Sequence, residues 1–314
     1  MTPRNRVLVG DALERLRELK SESIDCVITS PPYFGLRNYG VSGQLGSEAH
    51  IGQWVDVLRA VARELRRVLA PHGSLWLNLG DTYSRSASDG AMPKSLLLGP
   101  ERVALALTGD GWRLRNKVMW AKTNPLPSSV RDRLSCTHEY FYLFTKRPRY
   151  FFDLDAIRVP LTSRRPMRPY ARASLPVSAR GRLASGGQSG LVALARAGRA
   201  GHPLGKNPGD VWSLGTSSYR GAHFATFPPE LIRRPLLASC PRTVCTGCRQ
   251  PVDRRGCECA APTRPGLVLD PFFGSGTVAQ VARQHGRDWL GIELNPAYVR
   301  LAETRLGLSL GGSS

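Results

Sequence analysis

Five consecutive residues, Thr29-Ser30-Pro31-Pro32-Tyr33, end the apolar run Ile24-Asp25-Cys26-Val27-Ile28. Two prolines fix the backbone there, so the Ser30 hydroxyl and the Ser30 and Pro31 carbonyls are stiff acceptors. Tyr33 supplies a flat face beside them. Acceptors next to an aromatic plane suit an exocyclic amino group on a flat base that has been lifted out of its stack. Taken alone, the same stretch also reads as a proline-terminated strand followed by a turn.

A second stretch with chemical potential lies near the other end of the chain. Leu267-Val268-Leu269-Asp270 leads into Pro271-Phe272-Phe273-Gly274-Ser275-Gly276-Thr277 and then into a helix over Val278 to His285. Glycines let a ligand approach the backbone, and a helix N-terminus offers N–H groups to it. Trp289-Leu290-Gly291-Ile292-Glu293 follows as a further strand ending in an acid suited to a ribose diol. A dinucleotide fingerprint would need G-x-G-x-x-G, and position 279 is Ala. The short remainder after the turn cannot supply the rest of a doubly wound sheet, so the missing strands must be N-terminal ones. The sheet is then circularly permuted, with the Ser30 strand near the Gly turn and both at carboxyl edges, where such folds bind ligands.

Seven cysteines are present, and five cluster: Cys240, Cys245, Cys248, Cys257 and Cys259. A Cys-x-x-Cys knuckle followed by Cys-x-Cys fits a structural zinc held by Cys245, Cys248, Cys257 and Cys259, with Cys240 as a spare. Reduced, uncoordinated thiols are the alternative. A catalytic zinc is disfavoured, because no His stands among these thiols to complete an open, water-bearing site.

The elements that must position these residues alternate as strand and helix. Arg6 to Val9 reads as a strand ending at Gly10-Asp11, where Asp11 either binds a ligand or caps the helix that follows. Trp54, Val57, Leu58, Val61, Leu65 and Val68 recur at helical spacing over Gln53 to Leu69, and Pro71-His72-Gly73 is expected to stop that helix. Ser74 to Leu79, Leu114 to Trp120 and His138 to Phe144 read as strands, and Pro228 and Pro229 suit the first turn of a helix over Glu230 to Ala238. This alternation argues for an α/β fold with a mostly parallel sheet.

The chain has 314 residues, enough for one large α/β domain with an inserted lobe. No apolar run approaches a membrane span and the first residues lack a signal-peptide core, so no membrane association and a cytoplasmic location are expected. The net charge of +20 makes a polyanion the natural partner, nucleic acid first. Between Ala156 and Gly209 there is no Asp or Glu, while Arg164, Arg165, Arg168, Arg172, Arg180 and Arg182 accumulate. A merely solvated loop would mix signs, so these arginines are read as a DNA-binding arm that neutralises phosphates.

With these residues in view, the chain resembles the β group of amino DNA methyltransferases. Asp270 to Thr277 is similar to the family's S-adenosylmethionine motif, and Thr29 to Tyr33 to its catalytic motif. The order catalytic motif, target-recognition region, cofactor motif also resembles that of the group. The resemblance implies a Rossmann-like, S-adenosylmethionine-dependent methyltransferase fold with an inserted target-recognition region. It covers nearly all the chain except the Arg-rich arm and the Cys cluster. The whole chain is read as residues 1–155, the catalytic half, 156–222, an Arg-rich target-recognition insertion, 223–239, a cofactor-binding segment, 240–262, the Cys-rich lobe, and 263–314, the cofactor half. Ser30, Pro31, Pro32 and Tyr33 would be catalytic. Asp11, Phe224, Pro228, Asp270, Pro271, Phe272, Gly274, Ser275, Gly276, Thr277 and Glu293 would bind S-adenosylmethionine.

The substrate would be double-stranded DNA, with a cognate restriction endonuclease as an implied partner and a monomer or homodimer as the working state. Transfer would be direct, and the tetrad has no Cys to attack a ring carbon, which disfavours carbon-5 methylation of cytosine. Within the family, Ser at the first tetrad position leans toward cytosine-N4, and Asp or Asn toward adenine-N6. Cytosine-N4 is therefore the expected target and adenine-N6 the alternative. An RNA amino-methyltransferase or a non-catalytic DNA-binding protein stand behind both.

Overall fold

A computed structural model describes residues 2–37, 40–41, 43–161, 202–216, 227–252 and 257–308. In chain order the elements are β1 (Arg6–Val9), α1 (Ala12–Glu18), β2 (Ile24–Thr29), α2 (Ile51–Val68), β3 (Leu69–Leu79), α3 (Gly99–Gly109), β4 (Arg113–Lys122), β5 (His138–Thr145) and β6 (Val211–Leu214). They continue with α4 (Pro229–Ser239), β7 (Thr243–Cys245), β8 (Thr263–Pro265), β9 (Leu267–Asp270), α5 (Thr277–Gln284), β10 (Asp288–Glu293) and α6 (Pro296–Leu306). Eight strands form one sheet in the order β1-β10-β9-β2-β3-β5-β4-β6. Within it only β5 runs against its neighbours; the other pairings are parallel.

The two faces of the sheet are covered separately. α2 buries Trp54, Leu58, Val61 and Leu65 against Val27, Leu75, Leu77 and Leu269, together with residues of α1 and α3. Its arginines fall on the opposite side, as a period of 3.6 requires. α4, α5 and α6 cover the other face, packing Leu231, Val281 and Ala302 against Cys26, Ile28, Trp76 and Val268. Burial on both faces explains why β2 is buried along its whole length, Asp25 included. None of the described helices is long and apolar enough to cross a membrane.

The helix stops ahead of Pro71 as expected, α2 ending at Val68, but the strand expected from Ser74 begins earlier: β3 starts at once with Leu69 and includes Pro71-His72-Gly73. The register of β2 on β3 jumps between Ile24↔Leu69 and Cys26↔Ser74. That irregularity absorbs a proline with no N–H to give the ladder.

The chain divides into two compact units, residues 1–152 with 210–314, and Asp153–Gly209. Within the second, the described residues form a one-turn 3-10 helix at Asp155–Ile157 and a bridge between Val159 and Lys206. Arg158 donates to Asp155 Oδ1 at 2.7 Å and to the Gly205 carbonyl at 3.1 Å. Arg164, Arg165, Arg168, Arg172, Arg180 and Arg182 lie outside the described residues.

Candidate active site

The tetrad and the Gly turn meet because β2 and β9 are neighbours in the sheet. Thr29 Oγ1 donates to Asp270 Oδ1 at 2.7 Å, so the two carboxyl ends are joined by a buried hydrogen bond across 241 residues. The tetrad is held from other sides as well. Trp54 of α2 donates its indole N–H to the Pro32 carbonyl at 2.9 Å. Gly80, at the end of β3, leaves room for the Tyr33 ring, since a Cβ there would stand 2.7 Å from Tyr33 Cε2.

The Tyr33 hydroxyl sits in a polar cluster that sequence reasoning missed. It donates to Glu139 Oε2 at 2.7 Å. The Asn78 amide donates to the Tyr33 oxygen at 2.7 Å and to Glu139 Oε2 at 2.6 Å. Lys122 donates to Glu139 Oε1 at 2.6 Å. Ser30 Oγ lies 3.0 Å from the Tyr33 oxygen. Together these contacts order the protons. Glu139 accepts from Tyr33, Asn78 and Lys122 alike. The Tyr33 proton is therefore spent on Glu139, and the Ser30 hydroxyl must be the donor to Tyr33. That leaves the lone pairs of the Ser30 oxygen as acceptors for an incoming N–H. The available signal was an Asn inside the apolar strand Leu75 to Leu79, but only strand pairing brings Asn78, Lys122 and Glu139 to one edge.

We expect Glu139→Gln to lower kcat while leaving cofactor affinity unchanged. A carboxamide can donate as well as accept, so the direction of the Tyr33–Ser30 bond is no longer imposed. Losing about 1.4 kcal/mol of orientation in the transition state is roughly a tenfold fall in kcat. Unchanged turnover would remove Glu139 from this role.

On the cofactor side, Asp270 is fully buried and Glu293 is only 9% exposed. Glu293 accepts the Gly274 N–H on Oε2 at 2.7 Å and the Asn295 N–H on Oε1 at 2.8 Å, and burial raises its pKa. Gly274 and Gly276 both have positive φ, +51° and +78°. Above Gly274 the nearest atom to an added Cβ would be the Phe272 carbonyl at 4.0 Å, so the turn is open there. Phe273 anchors the turn from below. It stacks on Trp289 in a space that Gly291 leaves free. Arg305 of α6 clamps the turn, donating to Ser275 Oγ at 2.7 Å, Thr277 Oγ1 at 2.9 Å and Gln280 at 2.8 Å. Ser275 and Thr277 therefore shape the turn through their side chains. Open backbone beside a carboxylate suits a ribose-bearing ligand, so the residues present fit S-adenosylmethionine.

The remaining residues from the sequence reading are placed as follows. Asp11 caps α1, its Oδ1 accepting from Leu13 and Glu14 N–H at 2.8 and 3.0 Å. Pro271 is buried, and Phe272 packs against the α2 side of the core. Pro228 precedes α4 as its N-cap, and Phe224 lies outside the described residues. Cys245, Cys248, Cys257 and Cys259 come together, while Cys240 is buried at the end of α4 outside that group.

Burial pushes the Asp270 carboxyl up to about 7, against 3.8 for an ordinary Asp; the Thr29 hydroxyl and Phe272 N–H offset only part of this. The folded chain thus holds a proton that the unfolded chain gives up. The associated stability is complete below the unfolded value and is lost as pH rises through about 7. Without cofactor, the protein is expected to melt lower at about pH 8 than at about pH 5.5, and Asp270→Asn to shrink that difference. An unaltered difference in the Asn variant would contradict the assignment.

Comparison with known proteins agrees with this architecture. Residues 24–304 match the DNA methylase family N6_N4_Mtase. The chain is 39% identical over 319 residues to Type II methyltransferase M.XycI of Xanthomonas campestris pv. cyanopsidis, covering 95% of this chain and 86% of that protein. Among solved structures it is similar to PvuII DNA methyltransferase (cytosine-N4-specific), with TM-score 0.63 and 21% identity, covering 100% of this chain and 89% of that one. It is also similar to TTHA0409, a putative DNA modification methylase from Thermus thermophilus complexed with S-adenosyl-L-methionine, with TM-score 0.55 and 22% identity over 98% and 97% of the two chains. The fold is the Rossmann-like methyltransferase fold. The chain belongs to the N6_N4_Mtase family of DNA methylases, the amino DNA methyltransferases.

Proposed function

We propose that this chain transfers a methyl group from S-adenosylmethionine to the N4 amino group of a flipped cytosine within a specific DNA site. The observation that carries the reading is the ordered hydrogen-bond chain Glu139–Tyr33–Ser30, joined to the Gly turn by the Thr29–Asp270 bond. S-adenosylmethionine, held by the Asp270 to Thr277 turn and Glu293, supplies an electrophilic methyl group. The Ser30 oxygen and the Pro31 carbonyl accept the N–H bonds of the target amino group. Accepting hydrogen bonds from those N–H groups would raise electron density on the nitrogen. The nitrogen would form the N–CH3 bond as the sulfonium C–S bond breaks and then release one proton to solvent. Tyr33, held by Ser30, Asn78 and Glu139, keeps the base plane in place. Because these acceptors are oriented before the base arrives, positioning and electrostatics supply the rate enhancement.

Ser at the first tetrad position supports cytosine-N4 over adenine-N6. DNA as substrate fits the net charge of +20 and the segment 123–137 between β4 and β5. Leu126 and Leu134 of that segment are each 90% exposed, and Arg131 and Arg133 lie near them in sequence. Lys122 and Glu139 flank the segment, so it opens at the same edge as Ser30. Apolar tips among cations are suited to a duplex from which a base has been withdrawn.

The test is mass spectrometry of nucleosides from DNA incubated with the protein and S-adenosylmethionine. N4-methylcytosine is expected. N6-methyladenine would keep the mechanism and overturn the base, and an absence of methylated bases on any DNA would overturn the function.

A further inference from the structure

Cys245, Cys248, Cys257 and Cys259 are not used by the proposed chemistry, yet their four sulfur atoms all lie within 4.8 Å of one another. A zinc ion bound by four thiolates at about 2.3 Å places them about 3.8 Å apart at the corners of a tetrahedron. The first pair sits on a knuckle that is already folded for this. Arg249, at φ +58°, turns the chain back so that its N–H reaches the Cys245 carbonyl at 3.0 Å. Gly247 permits the second pair to close in, since a Cβ there would lie 3.1 Å from Ala261 and 3.6 Å from the Cys259 Cβ. The Thr246 N–H and hydroxyl both donate to the Pro262 carbonyl, at 2.9 and 2.7 Å, lacing the two knuckles together.

The lobe has too little core to hold itself. β7 and β8 are three residues each, and among the described residues from Arg242 to Pro265 the buried apolar side chains are Val244 and Cys245. Hairpins of this size are marginal in water without a staple. This hairpin also has a task. Arg264 of β8 donates to both oxygens of Asp25, at 2.6 and 3.3 Å, and the Leu267 N–H adds a further bond at 2.8 Å. Asp25 is fully buried at the foot of β2, the strand that carries Ser30, and its other side faces His72 at 3.1 Å. Burial would raise this carboxyl, but the bonds from His72 and Arg264 hold it below the ordinary value. A buried carboxylate that loses its cation is strongly destabilising.

We propose that Cys245, Cys248, Cys257 and Cys259 bind one zinc ion as a closed tetrathiolate, and that this ion holds the β7–β8 hairpin so that Arg264 stays on Asp25 beneath the catalytic strand. The four thiol protons leave to solvent as the metal enters. The lobe precedes the first residue of β9, whereas the cofactor turn follows its last. The ion is therefore a structural one at the opposite edge of the sheet from Ser30.

Metal analysis of the full chain, purified without chelator, should give about one zinc per chain. Cys248→Ser combined with Cys257→Ser should lose that zinc and melt lower than the parent protein. Arg264→Met, with the four cysteines intact, should keep the zinc and still melt lower. If the double-cysteine variant does not fold, cobalt(II) in place of zinc in the parent protein should give the visible bands of a tetrahedral four-thiolate site. Metal-free folded protein from zinc-supplemented cells, two disulfides in non-reduced mass spectra, iron in place of zinc, or zinc retained in the double variant would each overturn the proposal. An Arg264→Met protein as stable as the parent would overturn the hairpin's role.

Discussion

Ser30→Ala is expected to leave S-adenosylmethionine binding intact and to cut methyl transfer roughly 100- to 1000-fold, the usual cost of removing one preorganised hydrogen-bonding group from a reacting centre. The split follows from the site's layout. Ser30 touches Tyr33, whereas the Gly turn from Asp270 to Thr277 is held by Glu293, Trp289 and Arg305. Removing the hydroxyl leaves Tyr33 with Asn78 and Glu139, so the ring stays where it is. What disappears is the oriented acceptor. Single-turnover methylation with calorimetric titration of the cofactor separates the two effects. Normal turnover would remove Ser30 from the mechanism, and lost cofactor binding would place it in the wrong half of the site.

The second large effect belongs to the Gly turn, where two substitutions should fail for different reasons. At Gly276 a side chain meets φ +78° and finds Phe273 at 3.1 Å and Ala302 at 3.3 Å, so Gly276→Val must push the turn off its anchor. Cofactor binding should be abolished and the melting temperature lowered with it. Gly274 is different. Its φ of +51° costs an Ala on the order of 1–2 kcal/mol, but the added Cβ enters open space and disturbs nothing in the fold. Gly274→Ala should therefore remain folded while losing cofactor affinity, because the methyl group occupies the side from which the ligand approaches. Full affinity in both variants would disprove the Gly-turn reading.

The site was partly legible in the primary structure. Thr29 to Tyr33 and Asp270 to Thr277 announce themselves because rigid acceptors and a ligand-admitting turn need rare residue types in unbroken succession. Their meeting rests on strand order, which makes β2 and β9 neighbours. Glu139, Lys122 and Asn78 were illegible as a group. Each is an ordinary residue on a strand, and the antiparallel placement of β5 between β3 and β4 is what sets them beside Tyr33. Asp11 shows the opposite case: two roles were open from its position, and the observed contacts are those of a helix cap.

The four cysteines divide along the same line. Their spacing fits a metal, but only the fold brings the sulfur atoms together and connects their hairpin through Arg264 to a buried Asp on β2. What the sequence by itself determined about this protein is local: backbone rigidity from proline, ligand access from glycine, helix faces from a period of 3.6, and the α/β class from the alternation of those elements. What only the tertiary structure decided is the direction of the Ser30 hydrogen bond, the anchoring of the Gly turn and the partner of Asp25. Each of these depends on groups far apart in the chain, whose separation is set by strand order and register, and a hydrogen bond exists or fails within a few tenths of an ångström.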